Sequence, residues 1–215
     1  EMLWRDWSSD VCSSDLGKTT SLRNLPPKET FYIDADKKGL SWKGWKQQYI
    51  ANTNYLRTSN AETIKNTLLA INTKAPHIKY VVIDTLNAVM IDNEFGRMKE
   101  KGYDKWMDLA YAIYDIVDIA NTLREDLTII CLAHAQVERD DTGYSWTHMK
   151  TSGKKLDKIV VESKFTTVLL AKAVEGDYIF EVRANNSTAK TPMGAFDSDT
   201  IPNDITLVIE ALKEF

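Results

Sequence analysis

Apolar and polar positions along the chain alternate between two periods. Short, nearly continuous apolar runs recur at "TFYIDAD" (residues 30–36), "KYVVIDT" (79–85) and "LTIICLAHAQ" (127–136). Such runs read as strands of a sheet covered on both faces. "NYLRT" (54–58) adds a shorter strand. Between them lie segments with helical spacing. "SNAETIKNTLLAINTK" (59–74) buries Ile64, Leu68 and Ile71 on one face, and Ser59 with Glu62 reads as a capping box. From about 104 to 124, one stripe holds Trp106, Leu109, Ala110, Ile113, Val117, Ala120 and Leu123. "TTSLRNL" reads as a helix stopped by Pro26 and Pro27. The segment "VERDDTGYSWTHMKTSGKK" reads as a polar loop, followed by a short helix at "KLDKIVVES". "FTTVLLAKAVEGDYIFEVR" predicts a β-hairpin turning at Glu175, Gly176 and Asp177. A last helix starts at Asp204 as N-cap. Strands alternating with helices predict an α/β domain with a mainly parallel sheet, a C-terminal hairpin and a C-terminal helix.

Composition narrows this only slightly. The chain has 215 residues, 43% of them hydrophobic and 27% charged. That is enough for one substantial core and one domain. A net charge of −4 provides no global field for nucleic acid, so any such contact needs a local patch. Two cysteines, Cys12 and Cys131, make neither a disulfide framework nor a zinc cluster, and a cytoplasmic setting is expected. The longest apolar run, near residues 127–133, is far too short to span a bilayer, and the start of the chain has no apolar signal region.

Four short stretches carry candidate chemistry. "GKTT" (17–20) has the form of the end of a phosphate-binding loop, G-x-x-x-x-G-K-[ST]. Gly17 and Thr20 would give backbone N–H groups, Lys18 would reach the terminal phosphates, and the Thr19 hydroxyl would go to Mg2+. A lone GKTT also opens ordinary helices. "YVVIDT" puts Asp84 at a strand end, where a carboxylate would hold Mg2+, although strand-end aspartates also cap helices. "YIDAD" offers Asp34 and Asp36, either able to polarise an attacking water or to sit solvated at a strand end. "AHAQ" brings His134 and Gln136 to the end of a third strand, where the histidine could equally be structural.

Together the four resemble the RecA-like P-loop ATPases in order and spacing, over about residues 17–136. The tail "STAKTPMGAF…IPNDITLVIEAL" looks more like phage-encoded ATP-binding proteins that share this core and serve recombination or annealing. The resemblance implies ATP and Mg2+ as ligands, Lys18 and Thr19 on phosphate and metal, and Asp84 as the Walker B acid. It places Asp36 where the family has a catalytic glutamate, one methylene longer. Gln136 falls on the glutamine that senses the γ-phosphate and couples it to a DNA-binding loop. Here the following residues include Tyr144, Trp146, His148, Lys150, Lys154 and Lys155, aromatics interleaved with lysines that suit single-stranded DNA. Arg139-Asp140-Asp141 weakens that basic character. The resemblance further implies a homo-oligomer, with Arg183, Lys154 or Lys190 as the cation reaching a neighbour. Two other readings stay open: a nucleotide-binding scaffold that does not hydrolyse, and a P-loop kinase, which would want an arginine-rich lid where this chain has only Arg139.

The phosphate loop is incomplete upstream. Its first glycine belongs at position 12, where Cys12 stands, and "RDWSSDV" is no apolar strand. "DWSSDVCSSDL" (6–16) is instead identified with the translated end of a common sequencing-library adapter. On that reading residues 1–16 are non-native, and 17–215 form a single P-loop domain that lacks its first strand.

Overall fold

The computed structural model describes residues 16–100, 104–151 and 160–215, with side chains of 104–106 outside that description. Cys12, Lys154, Lys155 and the Trp106 side chain therefore lie outside the described residues. The centre is a four-stranded parallel sheet. Its strands are β1 (Thr30–Asp34), β2 (Tyr55–Leu56), β3 (Tyr80–Asp84) and β4 (Thr128–Leu132), in the order β2-β1-β3-β4. Register pairs Asp34 with Asp84 and Asp84 with Leu132, so the three longer strands end at one level. Parallel neighbours need crossovers, and the helical segments provide them.

Alternation along β3 divides the core. Val81 and Ile83 face α2 (Ala61–Lys74) and α4 (Asp104–Ala120), packing with Ile64, Leu68, Ile113 and Ile116. Val82 faces the other way, onto Tyr32, Leu132, Phe180 and Val208. Ile64, Leu68 and Ile71 of α2 are buried as the periodicity predicts. Each large side chain so buried contributes about 1.5–3 kcal/mol. α1 (Trp45–Gln48) and α3 (Leu86–Gly96) complete the helices before α4.

Three local expectations are corrected. The N-cap of α2 is Asn60, whose side chain accepts from the Thr63 N–H at 2.8 Å. Ser59 instead donates to Asp92 at 2.6 Å, so no capping box forms. The segment after GKTT is only a 3-10 turn, Thr20–Leu22. Its hydroxyls bond elsewhere: Thr19 to Asp84, Thr20 with Ser41, and Ser21 to the Lys18 carbonyl. Such bonds compete with helix formation, and Pro26 leaves little length to recover it. The polar loop is in fact an antiparallel hairpin, β5 (Ala135–Arg139) with β6 (Ser145–Met149), turning at 140–144. Residues 155–159 of the expected short helix "KLDKIVVES" lie outside the described residues, and Val161–Lys164 form a 3-10 turn.

The C-terminal hairpin stands as predicted, β7 (Leu170–Val174) with β8 (Asp177–Glu181), and β9 (Thr200–Pro202) extends it. Asp204 caps α5 (Ile205–Ala211), accepting from the Thr206 N–H at 3.0 Å. Among the described residues, β4 and β7 each end a sheet, with one edge unpaired. Both edges line a single apolar cavity of about 260 Å³. Ile129, Ile130, Leu132, Leu170, Phe180 and Val208 are among its walls, and Leu16 lies at its border. If residues 1–16 stand in place of an apolar strand, such a strand leading into Gly17 is expected to fill this cavity. Replacing residues 1–16 with an apolar strand and a G-x-x-x-x loop is expected to raise stability by about 3 kcal/mol or more. Chemical denaturation of the two chains checks this, and equal midpoints would remove the slot's role.

Candidate active site

The parallel strands end together, and the site is built on that edge. Asp84, the last residue of β3, is 2% exposed. Its Oδ2 accepts from Thr19 Oγ1 at 2.8 Å and from Tyr32 Oη at 2.6 Å. Its Oδ1 is buried without a hydrogen-bond partner among the described residues. Burial pushes the Asp84 carboxyl above its usual range, against the hydroxyl bonds and Lys38, which favour the charged form. The orphaned oxygen, beside a threonine hydroxyl, fits a cation that keeps most of its ligands from water and phosphate, as Mg2+ does.

Gly17 enters this edge in the left-handed region, with φ +74°. A Cβ there would stand 3.0 Å from Asn203 Oδ1 and from the Tyr178 ring. Glycine is thus required twice at this position, by dihedral and by space. Lys18 follows, and its carbonyl accepts from Ser21 Oγ at 2.6 Å.

Asp34 and Asp36 part company. Asp34 is buried and committed: its Oδ2 accepts from Tyr55 Oη at 2.5 Å and from the Gly39 N–H at 2.9 Å, with Arg57 at 3.5 Å. Asp36 lies beside Asp84, its N–H donating to the Asp84 carbonyl. Its carboxylate accepts from Thr85 Oγ1 at 3.1 Å and pairs with Lys38 at 2.6 Å. Burial alone would lower the Lys38 ammonium, but the Asp36 bond and the charges of Asp36, Asp84 and Asp34 hold it above its ordinary value.

His134 completes the polar edge. Burial lowers its pKa, and the charge of Lys18 pushes the same way; Asp36 opposes them. Gln136, on β5, bonds His148 of β6 at 3.2 Å, while Glu138 reaches His148 at 3.2 Å. Trp146 and His148 of β6, with Tyr144 from the turn just before it, form a row of stacked rings, with centroids 6.1 and 6.4 Å apart. Lys150 is exposed at the hairpin root. Arg183 is engaged by Asp199 and the Phe196 carbonyl. Lys190 exchanges backbone bonds with Val168.

The structure thus brings Thr19, Asp36 and Asp84 together, with the charges of Lys18 and Lys38 near His134. Sequence reasoning did not single out Tyr32, Lys38 or Asn87. Tyr32 could have been found from period two, since its register partner is Val82, two residues before Asp84. Lys38 and Asn87 had no comparable signal.

A parallel sheet with phosphate-loop residues and an acid at one strand edge defines a P-loop nucleotide-binding core. The AAA domain family matches residues 11–192, and the chain belongs to that family. No curated protein matches it. Family membership makes it a nucleotide-binding ATPase domain. No helix among the described residues is long and apolar enough to cross a membrane.

Asp84→Asn is expected to stabilise the ligand-free chain by about 1 kcal/mol, because a buried charge with an unpaired oxygen is removed. The sign with pH follows from the raised carboxyl. Its stability contribution is present below the ordinary carboxylate range and is lost as pH rises through the raised value. Asp84→Asn should flatten that fall, and thermal melts from pH 3 upward check it.

Proposed function

We propose that the chain is a Mg2+-dependent ATPase that handles single-stranded DNA in phage recombination, working in the host cytoplasm as a homo-oligomer. The observation that supports this best is the meeting of Thr19 with Asp84, beside Asp36, on the edge where Gly17 turns. ATP would lie with its phosphates over Gly17, Lys18, Thr19 and Thr20. Bound Mg2+ would offset phosphate charge, held by Thr19 and Asp84. Thr19 would then exchange its bond to Asp84 for the cation, and Tyr32 would go on donating to Oδ2. Lys18 takes the terminal phosphate charge. Asp36 orients the attacking water and accepts its proton, which requires Lys38 to give way.

Stacked Tyr144, Trp146 and His148 offer faces for successive bases, with Lys150 for backbone charge. Lys154 and Lys155 are assigned to the same contact by sequence alone. Gln136, tied to His148, would report phosphate occupancy to this surface. A cation from a neighbouring copy remains open among Arg183, Lys154 and Lys190. The same reading takes residues 1–16 as adapter-derived, so the chain as it stands binds Mg·ATP weakly.

A second reading is favoured by the Asp36–Lys38 pair at 2.6 Å. A carboxylate held by a cation is a poorer base, and the domain would then bind nucleotide as a scaffold without turnover. One experiment separates the two in the chain with its strand and loop restored. Single-stranded DNA should stimulate ATP turnover, and Asp36→Asn should lower kcat about 10²-fold or more with KM nearly unchanged. Mg·ATP binding without turnover supports the scaffold. Turnover indifferent to both DNA and Asp36→Asn overturns the proposed mechanism.

A further inference from the structure

Asn87 stands three residues after Asp84, in the first turn of α3, and is 5% exposed. Its side-chain amide makes two bonds of 2.7 Å, both to the root of the β5–β6 hairpin. Asn87 Oδ1 accepts from the His134 N–H, and Asn87 Nδ2 donates to the Lys150 carbonyl. His134 and Lys150 are themselves joined, the Lys150 N–H donating to the His134 carbonyl at 2.7 Å. The amide therefore closes a ring across both strands where they leave the core, much as a third backbone would. On its other side, Asn87 is carried by a segment already fixed to the candidate site. Thr85 caps α3 by accepting from the Ala88 N–H and donates to Asp36, while the Asp84 carbonyl accepts from Ala35 and Asp36.

We propose that Asn87 is a positioning residue that relays nucleotide occupancy at Asp84 to the aromatic hairpin. The proposal rests on the nucleotide reading above and adds a route distinct from Gln136, whose side-chain bond to His148 lies within the hairpin. A shift of the Asp84–Thr85 segment when a cation meets Asp84 moves the first turn of α3. The two amide bonds carry that movement to both hairpin strands at once. Other ties hold the hairpin to different parts of the chain: Thr147 bonds Asn186 and Thr188, and the Met149 N–H bonds Glu162. The first lies midway along β6 and the second joins the root to Glu162, whereas Asn87 holds both strands of the root to the Asp84 segment.

Hydrogen exchange on the full chain with its strand and loop restored tests the relay, with Asn87→Ala and Asn87→Asp as variants in that same background. Asparagine to aspartate keeps the acceptor for His134 and loses the donor to Lys150, so it serves if alanine impairs folding. Without ligand, either variant should speed exchange of the amides of 134–150 about tenfold and leave β1 and β3 within about twofold. An unchanged hairpin, or a uniform rise over the whole domain, overturns the proposal. With millimolar Mg·ATP, the parent chain should slow exchange at 17–20 and across 134–150, and the variants only at 17–20. Slowing at 17–20 alone in the parent overturns the relay but keeps the nucleotide site. Slowing at neither removes the nucleotide reading, and the relay with it.

Discussion

Everything at the candidate site is organised around a carboxylate that water does not reach. Asp84 sits at the end of a strand buried on both faces, and the two hydrogen bonds its carboxylate accepts come from hydroxyls on different segments. Thr19 brings the phosphate-loop turn to it, and Tyr32 brings the neighbouring strand. A buried charge of this kind is costly unless it is hydrogen-bonded and met by an opposite charge. The hydroxyls answer only part of that demand. The remaining oxygen gives the apo site a standing electrostatic preference for a cation, built in before any ligand arrives.

That preference is held in place by rings. Tyr32 packs edge-on against Trp42 and Tyr49, with centroids 6.5 and 5.4 Å away, and lies 6.2 Å from Tyr55. Tyr55 in turn donates to Asp34. The two strand-end acids are thus fixed by hydroxyls from one aromatic cluster, and a tyrosine loses little entropy in such a position. Burial pushes the Tyr55 hydroxyl up to about 12, so it remains a donor.

The sheet and its helices were legible because burial imposes periods. A strand covered on both faces must read as Val81-Val82-Ile83, and α2 must repeat Ile64, Leu68 and Ile71. Asp204 and the turn at 175–177 were legible because capping and turn chemistry are local. The β5–β6 hairpin was missed because its strands carry polar and aromatic residues and pair chiefly with each other. No buried face disciplines their pattern. Asn60 replaced Ser59 as cap because the two residues are near-equal N-caps, and only Asp92, distant in sequence, decides between them. Within the site, Lys18, Thr19 and Asp84 were marked by motif spacing. Asn87 acts through His134 and Lys150, 47 and 63 residues away, which spacing cannot encode, and Lys38 pairs with the nearby Asp36 without belonging to any motif.

The slot between β4 and β7 has a bearing on how molecules of this chain meet one another. Strand edges that have no partner among the described residues and are lined by isoleucine and leucine are templates for any extended chain, including a second copy. A dimer or larger species in solution therefore has two distinguishable origins. Association through the slot buries apolar area and backbone, ignores nucleotide and strengthens with salt that favours burial. Association that completes an ATPase site through a donated cation weakens with salt and responds to nucleotide. Size measured against salt and Mg·ATP, rather than size alone, is what gives an oligomer of this chain its meaning.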